Sequence, residues 1–418
     1  MYISRAIEKT FNKSMKQFKA VLVTGARQVG KSTLLQQMTE GYRYISFDNP
    51  LALNDAKEEP GLFFLNNKPP IILDEIQYIT DLFPYIKIKC DESNERGLFA
   101  LTGSQQFHLM KNVSESLAGR VAILRLSGLS LREILGDSFN EPFIPTDDFI
   151  QKRKNKFKKC DDIWERIHRG NYPELVATDC DWQLFYESYI STYIDRDVND
   201  LTKVQDKTKF AKFMSILAAR TGQIINYSNI AEQVEAEQKT IKEWISILEA
   251  SDLIYIMQPY SNSVLKRAIK TPKIYFRDTG LVCYLTKHQT PEMLMNGHMA
   301  GEIFETFVVS EILKSFTNAG YDHRMYISYY RGKDKIRRQK NGVKTTKEAE
   351  IDIVIETADT LYPVEIKLSA NPKLEMTNAF DVLSKVPNKK LGQGTVICMY
   401  QEPIYLNKNN IAIPVEMI

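Results

Sequence analysis

A chain of 418 residues exceeds what one hydrophobic core supports, so roughly two to four domains are expected, and 43% hydrophobic residues suffice for each to be globular. The formal net charge of +3 is too small to identify a nucleic-acid partner, so charge has to be read locally. Five scattered cysteines without a Cys-x-x-Cys pair argue against a zinc site and against a disulfide framework, which leaves reduced thiols.

The first residues carry Ile3, Ile7 and Phe11 at helical spacing among charges, unlike the uninterrupted apolar core of a signal peptide. No later segment approaches the length of a membrane span. The expectation is a soluble, cytoplasmic protein without a membrane partner. Next, the apolar run Ala20 to Val23 leads into Gly25-Ala26-Arg27-Gln28-Val29-Gly30-Lys31-Ser32, followed by Thr33. A strand ending at Thr24, two glycines that let the backbone turn its N–H groups inward, and a helix opening near Lys31 make a phosphate-binding loop. Lys31 is then placed to reach the β- and γ-phosphates of a nucleoside triphosphate, and Ser32 to ligate magnesium.

About forty residues on, by the spacing such loops show, Pro69-Pro70-Ile71-Ile72-Leu73-Asp74-Glu75 is a buried strand ending in two carboxylates. Asp74 is expected to hold the magnesium, and Glu75 to polarise the attacking water at the carboxyl end of the sheet. A third strand, Leu98 to Thr102, runs into Gly103-Ser104-Gln105, where Ser104 or Gln105 could sense the γ-phosphate or Ser104 could cap a helix. Arg120, in the turn Leu117-Ala118-Gly119-Arg120-Val121, suits either phosphoryl charge, in its own subunit or a neighbour's, or a surface ion pair. The run Lys152-Arg153-Lys154 with Lys156, Lys158 and Lys159 marks a flexible junction after this core.

From Ile225 to Pro259 two short helices and a strand follow: Asn226 to Val234, Gln238 to Ala250, and Leu253 to Ile256. In the second helix Ile241, Trp244, Ile245 and Leu248 form one buried stripe and leave Lys239, Lys242 and Glu243 outward. This resembles a winged helix-turn-helix, whose second helix could enter a major groove. The mixed charges of its outer face leave protein docking or a structural role equally open, and Lys266, Arg267 and Lys270 lean toward DNA.

The last constellation is Glu350 to Glu356 and Val364-Glu365-Ile366-Lys367-Leu368, two strands of period two. Alternation puts Asp352 opposite Ile351, Ile353 and Ile355, and lets Glu365 and Lys367 share a face. An acid on one strand beside Glu-x-Lys on the next can hold one or two magnesium ions and orient a water for phosphodiester cleavage. Between a strand at Met325 to Tyr330 and Ala349 lies a basic hairpin, 331–347, that reads as a solvated excursion or a phosphate-contacting arm.

Together these residues resemble the AAA-type ATPases of bacteria and archaea that carry a C-terminal DUF4143 region. Beyond the phosphate loop the resemblance rests on Leu73-Asp74-Glu75-Ile76-Gln77, Leu101-Thr102-Gly103-Ser104, Leu117-Ala118-Gly119-Arg120, Gly170-Asn171-Tyr172-Pro173-Glu174 and Tyr193-Ile194-Asp195-Arg196-Asp197. Asn171 replaces the family's usual second glycine, and it also tolerates left-handed backbone. Near the end, Glu305 of Gly301-Glu302-Ile303-Phe304-Glu305 resembles the first-helix acid of PD-(D/E)xK nucleases, with Ile351 in place of the proline before their aspartate.

The resemblance implies an α/β protein: a P-loop AAA-like ATPase core with a parallel sheet (1–150), a helical lid (151–222), a winged helix-turn-helix (223–290) and a restriction-endonuclease-like, PD-(D/E)xK domain (291–418). It implies ATP and Mg2+ as cofactors, since no guanine-reading Asn-Lys-x-Asp follows the loop. The reading is an ATPase coupled to nucleic-acid binding or remodelling. A nucleotide-dependent switch with a protein partner is the alternative, and a kinase a weaker third. A homo-oligomer and retained cleavage at the second site are open.

Overall fold

Ala20–Gly25 (β1) is buried at all six positions, as the central strand of a parallel sheet must be. It lies between Phe99–Ser104 (β4) and Val121–Arg125 (β5), parallel to both. Ile71–Asp74 (β3) pairs with β4, and Arg43–Ser46 (β2) forms the exposed edge, giving the order β2-β3-β4-β1-β5. Because all run the same way, the ends of β1, β3 and β4 meet on one rim, where open α/β sheets place ligands. The computed structural model describes residues 2–104, 113, 115–193, 207–261, 271–338 and 344–418, with only the backbone at 104, 333–338 and 344–348.

Around this sheet lie Glu8–Gln17 (α1), Lys31–Met38 (α2), Pro50–Glu58 (α3), Pro60–Asn66 (α4) and Phe83–Glu92 (α5). The middle of the chain is helical: Leu131–Ile134 (α6), Asp147–Lys154 (α7), Ile163–Arg169 (α8), Pro173–Ala177 (α9), Trp182–Tyr193 (α10) and Lys207–Ala218 (α11). Then Tyr227–Val234 (α12) and Gln238–Ala250 (α13) form a helix–turn–helix, and Ile254–Met257 (β6) pairs antiparallel with Lys273–Phe276 (β7). The expected stripe of α13 is buried, with Trp244 between Phe210 and Phe213 of α11 at 5.2 Å. Each such aliphatic burial contributes about 1.5–3 kcal/mol. Lys266, Arg267, Lys270 and most of the 193–197 motif lie outside the described residues.

After Thr279–Leu285 (α14) and Pro291–Met295 (α15), the helix Ala300–Asn318 (α16) is buried over most of its circumference. It packs on a second sheet ordered β13-β14-β12-β10-β9-β8, made of Ile327–Arg338 (β8), Lys344–Glu356 (β9), Thr360–Lys367 (β10), Gly394–Cys398 (β12), Ile404–Asn407 (β13) and Asn410–Pro414 (β14), with Lys390–Leu391 (β11) beside β10. One apolar core runs from Ile7 to Ile418 through the first sheet, the helical middle and the second sheet, while α3, α4 and α5 pack in a separate cluster on the other face of the first sheet.

Three local expectations need correction. The strand foreseen to end at Tyr330 continues to Arg338, because the basic run pairs with β9, Arg331 opposite Glu350 and Arg338 opposite Lys344. The isoleucines of β9 do not share one face: a register shift between Ser328 and Tyr330 turns Ile351 into a smaller cluster with Val354, while Ile353 and Ile355 join the main core. Lys152-Arg153-Lys154 is no flexible junction, since it closes α7 and Arg153 is fully buried. Its guanidinium donates to Asp137 Oδ2 at 2.6 Å and to the carbonyls of Met417 and Glu416 at 3.0 and 2.7 Å.

Candidate nucleotide site and a carboxylate cluster

The turn after β1 depends on its two glycines. Gly25 has φ 147°, and a Cβ there would lie 2.0 Å from the Leu126 carbonyl oxygen, while Gly30 has φ 90°. From Gly30 the chain enters α2, whose first N–H groups face the loop. Lys31 is buried, and its ammonium donates to the carbonyls of Gly25 and Ala26 at 3.2 and 2.9 Å. These bonds span the loop that a polyphosphate would fill. Arg27 hydrogen-bonds Tyr78, and Ala26, Val29 and Thr33 take up the rest of the loop with Gln28, at φ 61°.

Asp74 at the end of β3 collects three hydroxyls. Ser32 Oγ donates to its Oδ1 at 2.8 Å, Thr102 of β4 donates to the same oxygen, and Tyr44 of β2 donates to Oδ2 at 2.7 Å. Burial, then the hydrogen bond to Asp74 and its charge, push the Tyr44 phenol up to about 12. Two hydroxyls of the rim thus meet the carboxylate expected to hold magnesium, beside the serine expected to share the ion. Glu75 follows in a left-handed conformation (φ 57°), which a non-glycine residue adopts at a cost. Its N–H donates to Thr102 Oγ1 at 3.0 Å and its carboxylate accepts from Gln77. Thr102 therefore ties both acids together.

Ser104 ends β4 opposite Gly25, at the phosphate rim, while its side chain and Gln105 lie outside the described residues. Arg120 is elsewhere. It precedes β5, whose first residue pairs with Ala20, so it lies at the amino end of the sheet, the length of β1 or roughly 18 Å from the loop. There its guanidinium makes two bonds to Asp91, at 2.6 and 3.0 Å, the surface ion pair among the alternatives. In this conformation it does not reach its own chain's loop.

Sequence reasoning missed Tyr44, Thr102 and Arg5. Arg5, buried at 5% exposure, donates to Val29 O of the phosphate loop at 2.9 Å, to Ser127 O at 2.7 Å and to Glu133 Oε1 at 3.0 Å. Glu133 also accepts from Ala6 N and caps α6 through Ser130. Burial alone would raise its carboxyl, but Arg5's charge and the N–H groups of Ser130 and Ala6 win and hold it below its usual value. Pro173 packs against the same loop, within 3.8 Å of where a Gly30 Cβ would stand. Asn171, next to it, does not use left-handed backbone. Its amide instead fills the space against Gly128 and donates to Arg277 O at 3.3 Å, and its N–H donates to Asp278 at 2.8 Å.

The C-terminal acids expected to cluster do so. Asp352 of β9 accepts from Ile366 N at 2.8 Å, and Lys367 Nζ lies 2.6 Å from Glu365 Oε1 and 3.7 Å from Asp352 Oδ2. Glu305 of α16 accepts from Tyr275 OH at 2.6 Å. Burial first, and then the Asp352 charge, push the carboxyls of Glu305 and Glu365 above their usual range. Lys273 of β7, which sequence reasoning did not single out, points into this group, 2.7 Å from Glu350 Oε1 and 3.6 Å from Glu305 Oε1. Burial works against its charge, but Glu305, Asp352 and Glu350 outweigh it and raise its pKa. Among the described residues no three His, Cys, Asp or Glu side chains are arranged to hold a metal ion, and no helix is long and apolar enough to cross a membrane.

Three family models match the chain: an AAA domain at residues 17–135, a domain of unknown function (DUF8612) at 160–292, and a domain of unknown function (DUF4143) at 300–418. An uncharacterized protein of Mycobacterium tuberculosis is 26% identical over 403 residues, 95% of this chain and 80% of its own. Another, from Methanocaldococcus jannaschii, is 26% identical over 291 residues, 61% of this chain and 60% of its own. Among solved structures, a Walker-type ATPase of Pyrococcus abyssi matches with TM-score 0.37 at 14% identity, covering 67% of this chain and 94% of that one.

Proposed function

The chain belongs to the AAA-type P-loop ATPases that carry a C-terminal DUF4143 domain, and on that premise we propose that it hydrolyses ATP with Mg2+ and couples hydrolysis to nucleic-acid binding or remodelling. The observation that carries the ATPase part is the contact of Ser32 with Asp74 at 2.8 Å, at the mouth of the loop that Lys31 spans. A serine hydroxyl and a carboxylate, both oxygen donors, are a fitting pair for a hard cation that keeps several waters. Main-chain N–H groups of the loop and α2 would bind the phosphates, and Lys31 would exchange two carbonyls for phosphate oxygens. Held by Ser32 and Asp74, Mg2+ would supply positive charge to offset that of the phosphates. Glu75, held by Gln77, orients the water, and Thr102 keeps it in register with Asp74.

The nucleic-acid part rests on the exposed Lys239 and Lys242 of the helix–turn–helix, which we read as winged, and on the basic β8–β9 hairpin. The acids Glu305, Asp352 and Glu365 with Lys367 fit a PD-(D/E)xK-like site. Hydrolysis measured with and without duplex DNA, over a salt series, tests the coupling: stimulation that fades steeply with salt is expected. DNA that neither stimulates turnover nor binds in a salt-dependent way removes it. In that case the surviving reading is a nucleotide-dependent switch whose C-terminal half binds a protein.

A further inference from the structure

The carboxylate cluster is assembled by three elements of the C-terminal half, but a fourth reaches in from outside it. Strand β7 alternates in the usual way, so Lys273 and Tyr275 face the cluster together, and Tyr275 bonds Glu305. Lys273 is buried and sits among Glu350 at 2.7 Å, Glu305 at 3.6 Å and Asp352 at 3.9 Å. Its ammonium lies over the ring of Tyr329, 5.5 Å from the centroid. A cation is therefore already lodged between the acids of α16 and β9.

A second observation points to a different occupant. Glu365 is 9% exposed, and its Oε2 is buried with no hydrogen-bond partner, although Oε1 meets Lys367. An ionised oxygen left so is costly unless something supplies charge or a proton. Four carboxylates, those of Glu305, Glu350, Asp352 and Glu365, face the ammonium groups of Lys273 and Lys367 here. A divalent cation in the Lys273 ammonium's place would supply that charge, and its ligands would be oxygens of the kind present.

We propose that the cluster is a divalent-cation site for which the ammonium of Lys273 and a metal ion compete, so that Lys273 occupies the cation's place in this conformation. In this conformation, among the described residues, no three of the acids are arranged to hold one ion. With Lys273 withdrawn, Glu305, Asp352 and Glu365 can close on a metal. The lysine belongs to β7, which lies within the matched region 160–292, not to the C-terminal domain at 300–418. The site is thus gated by its neighbour. This deepens the reading of these acids as a metal-assisted site but does not need DNA cleavage.

Mn2+ binding to the full chain, followed without nucleotide by the loss of the free-ion paramagnetic resonance signal, tests it. Lys273→Met is expected to gain one Mn2+ per chain with affinity at least tenfold above wild type, and Asp352→Asn in that background to abolish the gain. A Lys273→Met chain that binds no more Mn2+ than wild type, while keeping its circular dichroism and melting transition, overturns the proposal. Should that variant fail to fold, wild type decides: millimolar Mn2+ should raise labelling of Lys273 by an amine-reactive ester, and Mn2+ bound with labelling unchanged overturns it. Metal gained by Lys273→Met without any DNA cleavage leaves the competition standing and removes the nuclease reading alone.

Discussion

Tyr44 and Asp74, on adjacent strands, are joined by a 2.7 Å hydrogen bond that occupies the one carboxylate oxygen Ser32 and Thr102 leave open. The edge strand β2, half exposed and without motif residues, therefore touches the magnesium side of the site. Tyr44→Phe is expected to lower stability without nucleotide by about 1 kcal/mol, a hydrogen bond to a charge discounted for Tyr44's partial exposure. It should change Mg·ATP affinity less than fivefold, whereas Asp74→Asn should weaken it at least tenfold. Thermal melts and titrations of the two variants check this.

Glu75 combines left-handed backbone with two tethers, Thr102 and Gln77. Glu75→Gln should bind ATP normally and hydrolyse it orders of magnitude more slowly. Gln77→Ala, which frees the carboxylate without removing it, should lower kcat by a smaller factor, on the order of tenfold, and leave ATP affinity intact. Equal turnover by Glu75→Gln and wild type would mean the water is activated elsewhere.

Arg5 closes a buried ion pair with Glu133 while holding Val29 and Ser127. Arg5→Ala leaves the glutamate uncompensated and should cost about 3–5 kcal/mol. Because the folded-state pKa of Glu133 is depressed, its contribution is complete above the ordinary glutamate value and is lost as pH falls through the folded value. The deficit of Arg5→Ala relative to wild type should accordingly shrink in acid, measured by urea unfolding at pH 7 and pH 4.

His323 is buried against Tyr255 and bonded to Thr317, and burial first, with the charges of Arg277 and Arg125, lowers its pKa to about 2. The folded protein keeps it neutral, while the unfolded chain takes up a proton below about 6.5. The sign is therefore a loss of stability on acidification, at most about 1.4 kcal/mol per pH unit from this group. His323→Gln should flatten the dependence of unfolding free energy between pH 6.5 and pH 5. An unchanged slope would show that His323 is protonated in the folded protein.

Much of the nucleotide site was legible because its chemistry is local. Gly25, Gly30, Lys31 and Ser32 are fixed by one turn, and Asp74 and Glu75 by one strand end, so a linear pattern carries them. Tyr44, Thr102 and Arg5 act through strand neighbours or across 128 residues, as Arg5 does to Glu133, and no spacing announces that. At the C-terminal cluster Asp352, Glu365 and Lys367 followed from alternation, although the register shift in β9 moved Ile351 to the other cluster. Lys273 was hidden because its strand reads as Lys-Ile-Tyr-Phe, where a lysine at a strand start looks solvated. The buried Arg153 was mistaken for a mobile lysine-rich joint for the same reason: its partners are the carbonyls of Glu416 and Met417, at the far end of the chain.

The account depends above all on a polyphosphate lying in the turn between β1 and α2. Isothermal titration of the folded, full-length chain with ATP and Mg2+ measures that directly, with Lys31→Ala as the partner experiment. Saturable heat with one site per chain, abolished by Lys31→Ala, is the expected result, and a folded wild-type chain that gives no heat would contradict it.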